Sequence, residues 1–225
     1  MSAAANKDSQ VASRALADLC STYWYPLYVF LRRKCHNVDE AEDLTQAFFA
    51  KLLERDFLAN VDREKGRFRS FLLASLKHFL DDVRDHATAL KRGGGKSIIS
   101  LDAADAESRY QHEPADEMSP EHLFERQWAL SLLEKVLSRL QAESTTASRG
   151  AAFETLQGAL TGQRDVPYAE IATKLGMTEG AVKTAVHRLR QRYRELLIEE
   201  ISLTVATPED VSEEIRYLMS SLQMR

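Results

Sequence analysis

The chain has 225 residues and a net charge of -4, with 44% hydrophobic and 28% charged side chains. Those proportions suit packed helical or mixed domains and exclude wholesale disorder. No apolar run approaches the ~20 residues of a membrane span, and Met1 to Gln10 lack a basic-then-apolar leader pattern, so a cytoplasmic protein is expected.

Two cysteines, Cys20 and Cys35, are too few for a disulfide scaffold or a CxxC metal site. No cofactor and no catalytic constellation is expected, because the six histidines are scattered and the carboxylates fall on solvated faces or caps. Charge is segregated along the chain. Between Arg63 and Lys96 nine basic residues face four acidic ones, and from Thr178 to Leu196 five face two. Leu101 to Glu125 holds eight acids and one base. Two basic blocks divided by an acidic stretch favour two tethered modules.

Helical periodicity runs through the whole chain. From Ala12 to Cys35 apolar residues recur at three- and four-residue spacing, with Pro26 expected to open a new helix. Asp39 is expected to cap the next helix, whose stripe is Leu44, Phe48 and Leu52. Asn60 to Gly66 is polar and loop-like. Phe68, Leu72, Leu76, Phe79 and Val83 then define a helix with basic residues on its other face. The run Arg92-Gly93-Gly94-Gly95-Lys96-Ser97 is not a phosphate-binding loop, since Leu90 stands where that motif needs glycine. It is a flexible exit, and the acidic stretch with Pro114 and Pro120 follows as a linker. Leu123 to Leu140 and Phe153 to Leu160 resume the helical pattern.

The most specific local pattern is Pro167 to Arg190. Pro167 can open a helix, the small Ala172 allows a close crossing, and Gly176 suits a left-handed turn. Thr178 is a natural N-cap for a second helix, and Ile171, Leu175, Val182 and Val186 supply contacts between the two. This is a helix-turn-helix whose second helix carries Lys183, Thr184, His187, Arg188 and Arg190, an array suited to the major groove. At the C-terminus, Thr207-Pro208-Glu209-Asp210 is a helix start, and Val211, Ile215, Leu218 and Leu222 form one stripe. That helix either completes the helix-turn-helix core or masks one of the chain's binding surfaces.

Two segments together resemble one family. Asp39-Glu40-Ala41-Glu42-Asp43-Leu44-Thr45-Gln46-Ala47-Phe48-Phe49 is similar to a region-two motif of bacterial sigma-70 family RNA polymerase sigma factors. Phe68-Arg69-Ser70-Phe71-Leu72-Leu73 through Asp82-Val83-Arg84 resembles the following helix of that region, and Met177 to Arg190 resembles region four. Two regions alone correspond to the extracytoplasmic-function (ECF) subfamily, here similar to a group with a C-terminal extension.

The resemblance implies an all-α protein. Residues 1–92 would form region two, 93–122 a linker, 123–201 region four, and 202–225 a C-terminal helical extension. Such a protein would bind core RNA polymerase and promoter DNA and promote opening at the -10 element; a regulatory partner such as an anti-sigma factor is also implied. Carried onto this chain, Glu42, Asp43, Gln46 and Phe49 would meet polymerase, and Arg67, Arg69, Lys77, His78 and Arg84 would face -10 DNA. Thr178, Glu179, Lys183, Thr184, His187, Arg188 and Arg190 would lie at the -35 element. His78 stands where many ECF factors carry asparagine, so the resemblance carries no -10 base preference to this chain. The competing reading is a one-component helix-turn-helix regulator without sigma activity, which would bind duplex DNA in the absence of polymerase.

Overall fold

The computed structural model describes residues 21–35, 37–53, 67–89, 103–112, 118–146, 150–161 and 167–223. These residues are helical with short turns, and the chain is all-α. The helices are α1 (21–34), α2 (Val38–Leu53), α3 (Phe68–Ala89), α4 (Ala103–Tyr110), α5 (Pro120–Thr146), α6 (Gly150–Thr161), α7 (Tyr168–Leu175), α8 (Glu179–Ser202) and α9 (Pro208–Gln223). They group into two compact units. One is Met1–Ser131 with Thr204–Arg225, and the other is Leu132–Leu203.

The first unit is built around aromatic side chains. Tyr28, Phe30, Leu31, Phe48, Phe49, Leu52, Leu72, Leu76 and Trp128 are almost fully buried. Tyr23 meets Phe68 edge-on at 5.4 Å, and its hydroxyl accepts a 3.1 Å hydrogen bond from Trp128 Nε1, joining α1 to α5. Phe48 of α2 packs on Phe79 of α3 at 5.7 Å. Offset and tilted ring pairs of this kind add to the apolar burial that drives the packing.

Several local expectations change. Pro26 does not open a helix: α1 runs through it from residue 21, and 22–31 are buried without a break. The apolar contacts along that run offset the ladder bond that proline removes. Asn37, not Asp39, caps α2, since its Oδ1 accepts from the Asp39 N–H at 3.1 Å.

Part of the acidic linker is ordered structure. Glu107 of α4 accepts hydrogen bonds from Tyr28 Oη at 2.6 Å and Arg32 Nε at 3.0 Å, while Arg109 lies 4.1 Å over the Tyr25 ring. Burial favours the neutral acid, but these donors hold the Glu107 carboxyl below its usual range. The Gly93–Gly95 exit lies outside the described residues.

The C-terminal helix starts as expected. The Thr207 N–H and hydroxyl donate to Asp210 Oδ2 at 3.1 and 3.0 Å, and Pro208 is the first helical residue. Its placement differs from the first of the two expectations. α9 belongs to the first unit and does not complete the helix-turn-helix core. Its buried residues are Val211, Glu214, Leu218 and Ser221, so the buried face is shifted from the Val211–Ile215–Leu218–Leu222 stripe to admit a carboxylate.

Candidate nucleic-acid interface

In the second unit, Leu156, Ile171, Ala172, Val182 and Val186 form one buried cluster, with Leu175, Ala185 and Leu189 packed against it. Ala172 is 6% exposed, as a close helix crossing requires. α7 ends at Gly176 with φ 63° and ψ 31°, and the Met177 N–H returns to the Ala172 carbonyl at 2.9 Å. This left-handed cap turns the chain within three residues. Thr178 then accepts from the Ala181 N–H at 3.2 Å and starts α8.

On the first half of α8, Glu179, Lys183, Thr184, His187 and Arg188 are all exposed, as is the capping Thr178. The 3.6-residue period puts Lys183, Thr184, His187 and Arg188 on one face, opposite the buried Val182 and Val186. Thr184 is partly committed, since its hydroxyl donates to the Gly180 carbonyl at 3.0 Å. Arg190 departs from the expected set. Its Nη2 donates to the Ala159 carbonyl at 2.8 Å, so it anchors α8 to α6.

The second half of α8 is a different surface. Arg192 reaches Glu143 at 2.8 Å and both Glu195 and Glu199 at 3.2 Å. Arg139 and Lys135 of α5 pair with the buried Glu200, and Arg139 also reaches Glu199 at 2.9 Å. These groups fasten α8 to α5 and present little positive charge to a ligand.

The -10 candidates on α3 separate into two groups. His78 and Arg84 are exposed, and Lys77 is half-exposed with a 2.8 Å pair to Glu121. Arg69, by contrast, is 3% exposed. Its guanidinium meets Glu214 Oε1 at 2.6 Å and Glu125 at 2.7 Å, and Cζ lies 3.8 Å from the Tyr217 ring centroid and 5.0 Å from that of Trp128. Arg67 pairs with Glu213 at 2.8 Å and Glu214 at 2.9 Å. Both expected DNA contacts are therefore occupied by the chain's own carboxylates. Burial pushes the Glu125 carboxyl up, and Arg69 opposes that shift. Glu125, Glu213, Glu214 and Tyr217 were not among the expected site residues.

Residues 164–192, from the approach to α7 through the first half of α8, match the family model for Sigma-70, region 4. A curated relative, the "ECF RNA polymerase sigma factor SigE" of Mycolicibacterium smegmatis, is 28% identical over 179 residues, covering 79% of this chain and 60% of the relative. The chain is thus similar to sigma-70 family proteins, through a region-four segment and an ECF relative. This chain spans about 60% of that relative's length. No solved structure matches it.

The carboxylate-rich helix α2 is the next surface of interest. Asp43 is exposed, while Glu42 and Gln46 are half-buried. Burial together with Asp39, Asp43 and Glu107 raises the Glu42 carboxyl above its usual range. Phe49 is 0% exposed and packs against Phe48 at 6.0 Å, so it is a core residue and not a polymerase contact in this structure. Its partners on the apolar stripe, Thr45 and Leu52, are buried beside it along the same helix. Among the described residues no group of His, Cys, Asp and Glu is arranged to hold a metal ion, and no helix is long and apolar enough to cross a membrane.

Proposed function

We propose that the chain is an ECF-type sigma factor that binds core RNA polymerase and directs it to promoters. The observation that carries this is α8: four exposed polar or basic side chains on one face of the second helix of a unit matching Sigma-70, region 4. In this reading Lys183, His187 and Arg188 meet the -35 element, as does Glu179, whose carboxylate can only accept from a base amino group, with Thr178 and Thr184 beside the phosphates. A helix N-terminus offers backbone N–H groups and a favourable dipole to such phosphates. The first unit binds polymerase through α2, with Asp43 as the exposed carboxylate of that face. The exposed α3 side chains His78 and Arg84, with the half-exposed Lys77, approach the -10 strand. Holding an unstacked strand on basic and aromatic groups offsets part of the cost of opening the duplex.

The test is reconstitution with core polymerase. The full chain should co-elute with core enzyme and support run-off transcription from a promoter identified by sequencing transcripts after overexpression. Lys183→Ala and Arg188→Ala should each lower transcription about 5- to 150-fold, the equivalent of ~1–3 kcal/mol per base-edge contact, with core binding intact. Asp43→Arg should weaken core binding, since charge reversal at an interface leaves a partner unpaired. Duplex binding without polymerase association would instead identify a one-component regulator.

A further inference from the structure

The two arginines at the start of α3 are held by adjacent carboxylates on one turn of α9. Glu213 takes Arg67 at 2.8 Å, and Glu214 takes both Arg67 at 2.9 Å and Arg69 at 2.6 Å. A guanidinium fork binds carboxylate and phosphate by the same paired N–H geometry. α9 therefore offers Arg67 and Arg69 what two neighbouring phosphates of a nucleic-acid strand would offer.

The arrangement can open without stranding a charge. If α9 leaves, Arg69 keeps Glu125 of α5 at 2.7 Å, and Glu213 and Glu214 pass into water. Arg67, 30% exposed even with α9 in place, becomes the accessible cation. Residues 203–207 are a short turn, half-buried or exposed, and the Phe68 N–H donates to the Thr204 carbonyl at 2.9 Å, linking that turn to α3. A 16-residue helix released from its packing surface is marginal in water, so release would unfold it.

We propose that α9 is an internal competitor for the nucleic-acid backbone: it covers Arg67 and Arg69 in the unbound chain and is displaced when a single DNA strand takes Arg67. This rests on the reading of α3 as a DNA-facing helix given above.

The experiment uses the full chain carrying Lys183→Ala and Arg188→Ala, so that the helix-turn-helix contributes little. A labelled 12-nucleotide single-stranded DNA of random sequence is the probe, at low salt. Amide hydrogen exchange of residues 208–223 and oligonucleotide affinity are read together. Saturating DNA should speed exchange across 208–223 at least tenfold. Adding Glu213→Gln with Glu214→Gln should speed it without DNA and tighten DNA binding about tenfold. Glu213→Gln alone, at an exposed position that leaves the buried pair in place, should tighten it about threefold and covers the case in which the double variant fails to fold. Adding Arg67→Gln should erase either gain. DNA bound with 208–223 still protected, or faster exchange with no gain in affinity, overturns the competitor and leaves the α3 reading standing. A gain that survives Arg67→Gln overturns the competitor and leaves Lys77, His78 and Arg84 as the DNA-facing groups of α3, whereas no affinity for the oligonucleotide in any of these variants overturns the α3 reading and the competitor with it.

Discussion

The two basic blocks look alike in the sequence and are used in opposite ways. At the start of α3, Arg69 and the preceding Arg67 face inward or sideways into three carboxylates, and the cluster joins α3, α5 and α9. On the first half of α8, Lys183, His187 and Arg188 are exposed, and among the described residues no ion pair engages Lys183 or Arg188. The same α8 becomes structural one turn later, where Arg192 meets Glu143, Glu195 and Glu199. Net charge over a segment thus says little about which counter-ion it has. Position on the helix decides: Arg69 sits three residues before Leu72 and seven before Leu76, on the buried stripe, whereas Lys183 and Arg188 lie off the stripe of Val182 and Val186.

The sharpest test of that contrast is Arg69→Ala. It removes the cation from between two buried carboxylates, and breaking such a cluster from one side costs about 3–5 kcal/mol. The deficit should depend on pH. Burial already raises the folded-state Glu125 carboxyl above its ordinary 4.5, with Arg69 lowering it. Without Arg69 the folded value rises further, so the variant gains stability from protonation at low pH and loses it as pH climbs through that value. The gap to the parent chain should widen from about pH 4.5 to pH 7 in urea denaturation of the full chain. A gap under ~1 kcal/mol at pH 7 would mean that Arg69 is no more structural than a surface arginine.

The register of α3 made part of this legible. Arg69 falls on the apolar stripe, Glu125 precedes Trp128, Leu132 and Val136 on another, and Glu214 lies between Val211 and Leu218 on a third. Three charged residues at stripe positions with opposite signs are a recognisable hint of a buried cluster. What periodicity could not supply is which helices meet, because i, i+3, i+4 spacing orients a face without naming its partner. For the same reason α9 was legible as a capped amphipathic helix and its place beside α3 was not. The helix-turn-helix was read closely because its partners are adjacent in sequence and its turn depends on one glycine. Phe49 shows the converse failure. The motif resemblance made it a contact residue, whereas its own spacing to Thr45 and Leu52 puts it in the core.

Gly176→Ala probes the second unit, which depends on a local backbone device instead of a buried ion cluster. With φ at 63°, an L side chain is strained by ~1–2 kcal/mol there. A Cβ at this position would meet nothing within 4 Å, so the cost is confined to the backbone. Gly176→Asn should cost less, because asparagine tolerates the left-handed region. The loss should be independent of pH between 5 and 8, unlike that of Arg69→Ala. Equal stability of Gly176→Ala and the parent chain would show that the turn relaxes without the left-handed residue.

Arg192→Gln should have the smallest effect and so bounds the comparison from below. Arg192 has a side chain 38% exposed, and its partners Glu143, Glu195 and Glu199 are 43%, 47% and 48% exposed. Water screens these pairs, and holding several long side chains in one geometry costs conformational freedom, so an exposed network of this kind contributes ~1 kcal/mol or less. Hydrogen bonding from Arg192 holds the Glu143 carboxyl below its usual range, so what the network contributes is present at neutral pH and fades as pH falls through that lowered value. Salt gives the cleaner discrimination. Raising ionic strength from about 0.1 to 1 M shortens the screening length from ~10 to ~3 Å, which should remove most of the difference between Arg192→Gln and the parent chain. The Arg69→Ala deficit should survive the same change, because its charges are shielded from solvent ions by protein. An Arg192→Gln loss above ~2 kcal/mol that persists at 1 M salt would place the second half of α8 beside the α3 cluster, and only the first half of α8 would remain as a surface set apart by its charge.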